Sequence, residues 1–346
     1  MLKREDFYKI NQETLDDFYS DSLQETTLYI YPELNAIITS NPSKEVKQYL
    51  YVEYKINSSL LKKILVFFYT RLSLNTKGLL SSNTCKVKGV VKDDCLIYPC
   101  NKKFRIFDFK NNVVTVIPKS GFPDKDIRKE IEFRTKNTAG FIPPIIISRD
   151  SEYTEKIIDG YPLARAGNNF QKKKEEAKNI WNDYIKDSVE EISLKEYSQQ
   201  LRKNFKTLLL EENVKRKKIN LEELFQLEEM LFEEIFQDTK IKIGLSHGDL
   251  QPGNIWIENK TENIYIIDWE SYATRSLWYD ECALAENLRM ESGVEKLAEM
   301  RGLKYSVVLY EDLIFHLEEL NNLPYDYNSK EFKKYVQSVL KGRKNV

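Results

Sequence analysis

Hydrophobic positions along the chain change their period part-way. Up to about residue 160 they come mostly as short alternating runs, the period of half-buried strands; beyond it they recur every third or fourth residue, the period of helices packed on one face. Residues 12–23 read as a polar helix, 27–31 and 35–39 as a strand pair, and 48–56 as a mixed alternating run. Leu60, Leu61, Ile64, Leu65, Phe68 and Leu72 recur at helical spacing and predict an amphipathic core helix, while residues 81–83 (Ser-Ser-Asn) read as a linker. Three runs at 95–98, 103–110 and 113–119, separated by short polar turns, predict an antiparallel meander. A charged helix over 124–137 and strands at 144–148 and 153–159 follow. Helices are predicted over 171–186, 194–210, 221–237 (with Asn220 as its N-cap), 305–320 and 329–340. Among them, the runs 255–257 and 264–267 flank a polar turn and predict a β-hairpin.

Composition bounds the possibilities. A chain of 346 residues, 41% hydrophobic and 12% aromatic, can bury large cores and suggests two or three domains. Lys plus Arg at 53 against Asp plus Glu at 54 leaves a net charge of -1, which gives no whole-chain attraction for nucleic acid. The opening residues MLKREDFYKINQ lack the apolar core of a signal peptide, and the most apolar run, 64–69, is too short to cross a bilayer. The expectation is a cytoplasmic protein without stable membrane insertion. Cys85, Cys95, Cys100 and Cys282 match no zinc spacing, and only His247 and His316 accompany them, so reduced thiols and an all-oxygen metal site are expected.

The chemistry concentrates in residues 246–270, SHGDLQPGNIWIENKTENIYIIDWE. A hairpin brings the loop before its first strand and the residue after its second to one end, so Asp249, Asn254 and Asp268 converge. Such a set suits metal-assisted phosphoryl transfer: Asp249 orients and deprotonates an acceptor hydroxyl, while Asn254 and Asp268 hold Mg2+ on a nucleotide. His247 orients the loop through hydrogen bonds, since Asp249 is better placed as the base. The segment resembles the catalytic segment of the aminoglycoside phosphotransferase and choline kinase superfamily, small-molecule relatives of the protein kinases. Gly248 stands where protein kinases have an arginine, and Asp268-Trp269-Glu270 stands where they have Asp-Phe-Gly.

That resemblance, spanning about residues 95–320, implies an α+β fold of protein-kinase type. Residues 1–90 would form an α+β extension, 91–161 a small antiparallel-sheet lobe for the nucleotide, and 162–346 a mainly helical catalytic and acceptor-binding lobe. It further implies a phosphate-binding lysine on the third strand, set by a helix glutamate: Lys119 and Glu130, with Lys110 as the fallback. Backbone groups near Ile157 would meet the purine edge. No Gly-rich loop precedes the second strand, so the turn 99–102 or the ammoniums of Lys102 and Lys103 would cradle the phosphates, and GTP stays open beside ATP as donor. Glu270 either faces the acceptor or pairs with a nearby lysine, and Asp280 braces the catalytic loop. Glu281, Glu286, Glu291, Glu311 and Asp312 either supply an acid-rich wall that would suit a cationic acceptor or all face solvent, the default for charged helix positions. The implied activity is ATP- and Mg-dependent phosphorylation of a small-molecule hydroxyl, a sugar or other polyhydroxy metabolite first, choline or ethanolamine second, an aminoglycoside third. A catalytically idle, nucleotide-binding scaffold is the alternative from another class.

Overall fold

The structure is a computed structural model that describes residues 4–20, 24–53, 60–217, 219–323 and 329–344. The chain divides into two units: one comprises the residues up to Ile131 together with Pro144–Ile157, the other Glu132–Pro143 together with the chain from Ile158 on.

The amino-terminal unit carries α1 (Arg4–Phe18), β1 (Glu25–Tyr31), β2 (Ala36–Ile38), α2 (Lys44–Glu53), α3 (Leu60–Asn75), β3 (Asn83–Lys88), β4 (Cys95–Pro99), β5 (Lys103–Asp108), β6 (Val113–Pro118), α4 (Lys125–Lys136), β7 (Ile145–Arg149) and β8 (Glu152–Lys156), the unit boundary falling within α4. All eight strands form one antiparallel sheet in the order β3-β1-β2-β4-β5-β6-β8-β7. The expected succession of three strands, a helix and two strands is present as β4 to β8 with α4 between β6 and β7.

Successive residues of a strand point to opposite faces, and this sheet buries both. On one face Leu28, Ile30, Ile37, Ile97, Phe104, Ile106 and Ile117 pack with Leu15 of α1. On the other, Tyr31, Ile38, Leu96, Phe107 and Val114 meet Val46 and Leu50 of α2 and Leu74 of α3, while Val116 and Tyr153 meet Ile127 of α4. Cores shared in this way explain why β1 to β3 add to the same sheet as β4 to β8.

Four local expectations in the first ninety residues change. The helix at 60–72 forms as α3, but Ile64, Leu65, Phe68 and Leu72 of its expected core stripe are exposed and it packs through Leu74 instead. The run 48–56 is helical where it is described, ending α2 at Glu53, and residues 54–56 lie outside the described residues. Its alternation misleads because Val46 and Leu50, four apart, are the buried positions. Asn83, expected in a linker, begins β3, whose Cys85 and Val87 alternate inward. The first helix starts at Arg4 and ends at Phe18, and residues 21–23 of the expected span lie outside the described residues.

The carboxy-terminal unit is mainly helical, with two small sheets. Its elements are β9 (Gly160–Pro162), α5 (Phe170–Ile185), β10 (Glu190–Ser193), α6 (Leu194–Leu210), α7 (Glu212–Arg216), α8 (Leu221–Ile235), β11 (Lys240–Ser246), β12 (Ile255–Glu258), β13 (Ile264–Ile266), β14 (Ala273–Ser276), α9 (Leu277–Glu286), α10 (Glu291–Glu299), α11 (Leu303–Asn322) and α12 (Ser329–Lys344). Asn220 caps α8 as expected, its side chain accepting from the amides of Glu222 and Glu223 at 3.2 and 3.4 Å. The largest core gathers α6, α8, α10 and α12 around α11, whose Val307, Val308, Leu309, Tyr310, Leu313 and Leu317 are fully buried. The sheet β10-β11-β14 leads the chain into the catalytic segment, and β13-β12-β9 carries it out. Among the described residues no disulfide joins the cysteines, and no helix is long and apolar enough to cross a membrane.

Because β1 to β3 share their core with β4 to β6, residues 91–346 alone should fail to fold natively. Urea unfolding followed by circular dichroism checks this: loss of the cooperative transition is expected, and an unchanged midpoint would show that residues 1–90 are dispensable.

Candidate active site

Strand β12 pairs with β13 in the register Ile255 to Ile266, and the Ile267 amide donates to the Asn254 carbonyl at 3.0 Å. The hairpin therefore sets Asn254 and Asp268 side by side at one end, as its spacing implies. Asp268 adopts a left-handed backbone conformation (φ 64°, ψ 60°), which the short polar side chain of aspartate tolerates better than most. After this turn, Trp269 is driven into the interior. Its ring stacks on Phe133 with centroids 4.5 Å apart, and its indole N–H donates to the Ile266 carbonyl at 2.8 Å.

The loop from β11 is held by one buried carboxylate. Asp280, near the start of α9, accepts from the His247 amide at 2.8 Å, the Gly248 amide at 3.1 Å and the Ser246 hydroxyl at 3.0 Å. His247 is fully buried, with Nε2 3.0 Å from the Ile267 carbonyl and Nδ1 accepting from the Asp249 amide at 3.2 Å. A carbonyl can only accept and an amide N–H can only donate, so these partners fix the neutral tautomer with its proton on Nε2. His247 thus positions the loop and binds it to the hairpin. Gly248 has φ of 81°, and a Cβ there would lie 2.1 Å from the Ser271 carbonyl oxygen. That close approach leaves no room for the arginine protein kinases carry here.

Asp249 has a partner on each oxygen. Asn254 Nδ2 donates to Oδ2 at 2.8 Å and also to the Asp249 carbonyl at 2.9 Å, Arg289 Nε donates to Oδ1 at 2.8 Å, and Gln251 Nε2 makes longer contacts with Oδ1 and Oδ2 at 3.4 and 3.2 Å. Desolvation pushes the Asp249 carboxyl above the usual carboxylate range, against the pull of Arg289, and the Asp268 charge adds to the upward push. Asp249, Asn254 and Asp268 are therefore brought together. Among the described residues no group of three or more His, Cys, Asp or Glu could hold a metal ion, and Asn254 Oδ1 accepts no hydrogen bond. One amide oxygen and one carboxylate, both hard, fit magnesium of the kind that takes one or two protein ligands and completes its shell with phosphate and water. The donor set would not suit a softer metal.

Arg289 was not singled out by the sequence, where nothing marks it among the many cations. It lies between α9 and α10, in a loop turned by the left-handed Asn287 (φ 55°).

In the amino-terminal unit the expected lysine changes. Glu130 is fully buried and pairs with Lys103 at 3.6 Å, not with Lys119. Strand parity is the reason. Lys103 lies opposite Pro118 in the β5–β6 ladder and shares a face with Arg105 and Val116, the latter packed on α4. Lys119, one residue beyond Pro118, takes the opposite face. Its ammonium sits 5.4 and 5.2 Å from the ring centres of Phe7 and Phe104, and it forms no ion pair among the described residues. Desolvation pushes the Lys119 pKa down to about 8. Lys110 is exposed in the turn after β5. The Ile157 amide donates to the Asn112 carbonyl at 3.2 Å, so that donor is committed within the fold rather than to a purine.

The expected acid wall is neutralised. Glu281 pairs with Lys304 at 2.7 Å and Glu286 with Lys296 at 2.6 Å. Glu311 is buried, accepting from the Ser276 amide and hydroxyl at 2.6 and 2.7 Å and from the Tyr197 hydroxyl at 2.5 Å; burial nonetheless pushes its pKa up to about 7. Asp312 is buried beside Arg289 and His316. Glu281, despite its lysine partner, and Glu291 stay exposed, and Glu270 is half-buried in the turn after Asp268.

Residues 165–283 match the family model described as choline/ethanolamine kinase. The match covers about a third of the chain and includes the whole catalytic segment, so this stretch is choline/ethanolamine-kinase-like. A search of the curated proteins finds no match. Solved structures similar to the chain include a choline kinase from Cryptosporidium parvum Iowa II (14% identity, 74% of this chain and 91% of that one, TM-score 0.47). They also include an ethanolamine kinase from Plasmodium vivax (15% identity, 88% and 95% coverage, TM-score 0.42) and the aminoglycoside phosphotransferase APH(2")-IIa, solved as a streptomycin-ATP ternary complex (14% identity, 83% and 97% coverage, TM-score 0.45).

Two stability measurements check this geometry. Gly248→Ala forces a side chain into a left-handed, crowded position and should cost at least about 2 kcal/mol in urea unfolding; an unchanged midpoint would contradict the close approach. Lys119 has a folded-state pKa below its unfolded value, so its destabilisation is fully present below about pH 8 and vanishes as pH rises past the ordinary lysine value near 10.5. Lys119→Met should therefore stabilise the protein at pH 7 by on the order of 2 kcal/mol, after subtracting the lost cation–π contact. The gain should close toward pH 10.5, and a pH-independent difference would contradict the desolvated ammonium.

Proposed function

We propose that the chain is a magnesium- and ATP-dependent kinase that transfers the γ-phosphoryl group to a hydroxyl of a small molecule. One observation carries the reading: Asp249 is fixed through both oxygens, by Asn254 and Arg289, at the hairpin end that also carries Asp268. A carboxylate accepts about four hydrogen bonds; the two from Gln251 Nε2, at 3.4 and 3.2 Å, are the longest on Asp249, and an acceptor hydroxyl would take their place. Asp249 takes the hydroxyl proton while the acceptor oxygen bonds to the γ-phosphorus; the bond from that phosphorus to its bridging oxygen breaks, and ADP leaves with the electron pair. Asn254 Oδ1 and Asp268 would hold magnesium, which neutralises phosphate charge when bound. Within the amino-terminal unit, the lysine that the buried Glu130 pairs with is Lys103, which makes Lys103 rather than Lys119 the candidate phosphate lysine. GTP stays open as a donor, and Glu270 remains the candidate acceptor contact.

For the acceptor, a sugar or other neutral polyhydroxy metabolite comes first. Neutralisation of Glu281 and Glu286 by lysines and the burial of Glu311 and Asp312 support this, since they remove the wall a cation would need. Choline or ethanolamine comes second, on the strength of the family model, and an aminoglycoside third. A nucleotide-binding scaffold without turnover is the reading from another class; the buried Lys103–Glu130 pair and the ordered Asp249 argue against it.

Transfer from labelled ATP across a panel of polyols, amino alcohols and aminoglycosides tests the proposal. Phosphorylation of a neutral polyol is expected. Asp249→Asn should lower kcat by roughly 100-fold or more, Lys103→Met should raise KM for ATP, and Lys119→Met should leave transfer within a few fold of wild type. Magnesium-ATP that neither raises the melting temperature nor donates phosphate to any panel member would sink the reading, and preference for choline would reverse the acceptor order alone.

A further inference from the structure

We infer that Arg289 is a positioning residue for the catalytic aspartate, tying Asp249 to the helical core. This rests on the kinase reading above and deepens it. The guanidinium has its donors directed to different partners. Nε donates to Asp249 Oδ1 at 2.8 Å, Nη2 donates to the Tyr279 hydroxyl at 2.7 Å and to the Gly248 carbonyl at 3.3 Å, and Nη1 lies 3.4 Å from Asp312 Oδ1. Phe315 closes one side, its ring centre 3.7 Å from the guanidinium carbon. Asp312 is fully buried on α11, and the Tyr279 hydroxyl on α9 donates to it at 3.0 Å. One planar cation thus joins the catalytic loop to two helices of the core.

The placement is built into the backbone. Asn287 ends α9 in a left-handed turn, its amide donating to the Ala283 carbonyl at 3.0 Å, and Leu288 is buried beside it. Gly293 lets α10 approach this turn; a Cβ there would lie 2.1 Å from the Glu286 carbonyl oxygen. The loop is pinned at both ends, and Arg289 reaches Asp249 from a fixed base.

Without Arg289, Oδ1 would keep only the long contact from Gln251 Nε2 at 3.4 Å, and the one short bond left, from Asn254 to Oδ2 at 2.8 Å, would let the carboxylate turn about its own bond. With Arg289 on Oδ1, rotation is stopped and a lone pair stays aimed at the acceptor. A lysine keeps the charge but has no planar fork, so it cannot reach Asp249, Tyr279 and Asp312 together.

The test compares wild type with Arg289→Ala, Arg289→Lys and the double variant Arg289→Ala/Asp312→Asn, which also removes the buried charge that loss of the arginine would strand. Arg289→Ala is expected to lower kcat by about 100-fold, the scale of a misplaced catalytic group, with KM for ATP and the melting-temperature rise on adding magnesium-ATP unchanged. Arg289→Lys should recover only part of the loss. Added guanidinium ion should raise kcat of Arg289→Ala, and sodium chloride at the same ionic strength should not. A kcat within threefold of wild type in the single variant, or in the double variant where the single one does not fold, overturns the inference. So does an equal loss in nucleotide binding. If wild type itself transfers no phosphate, the kinase reading fails, and crystal structures still decide the positioning. In Arg289→Ala, an Asp249 carboxylate that keeps its place beside Asn254 Nδ2 overturns it; a displaced one supports it.

Discussion

One buried carboxylate sets the geometry on which the rest of the site depends. Asp280 gathers the amides of His247 and Gly248 and the hydroxyl of Ser246, so a turn that would otherwise expose several unsatisfied donors has a single fixed shape. With that shape fixed, the His247 ring can span from the Asp249 amide to the Ile267 carbonyl, and the loop and the hairpin become one body. Trp269 fills the space behind them, its ring 4.5 Å from that of His247. Neutral His247, buried Trp269 and the glycine between His and Asp are all consequences of packing a charged loop against an apolar interior.

Two buried lysines a short way apart behave differently, and the contrast follows from the strand's two-residue period. Lys103 has a carboxylate on its face of the sheet and stays paired; Lys119, on the other face, sits over the rings of Phe7 and Phe104 and loses basicity. Sequence position in a strand says how far along a lysine lies, whereas the face it takes depends on register. Here one residue of parity separates an ion pair from a desolvated cation.

Most of the catalytic hairpin could be read from the chain itself, because Asp249, Asn254 and Asp268 lie within one local supersecondary unit whose geometry a short turn dictates. Asp280 was legible through the resemblance, which implies an Asp at this helix start, although it lies 33 residues from the His247 amide it holds. Arg289 was not. Its role comes from a left-handed turn at Asn287 and from Asp312, both remote from any motif. The acid wall misled because charged helix positions default to solvent, and only tertiary packing revealed that Glu311 and Asp312 are interior. For the fold, the meander and the major helices followed from period and turns, while β3 and the fusion of the first three strands into one sheet needed long-range pairing that no local pattern encodes.

The way the chain is shared between the two units has a topological consequence. The polypeptide passes from one to the other after Ile131, returns at Pro144 and leaves again after Ile157. A single backbone cleavage at any one of these crossings would leave two covalent links intact, so neither unit can be excised as a contiguous fragment. During synthesis the ribosome must likewise release the chain as far as Ile157 before the sheet can gain its last strand, and the segment 132–143 must wait for partners made later still.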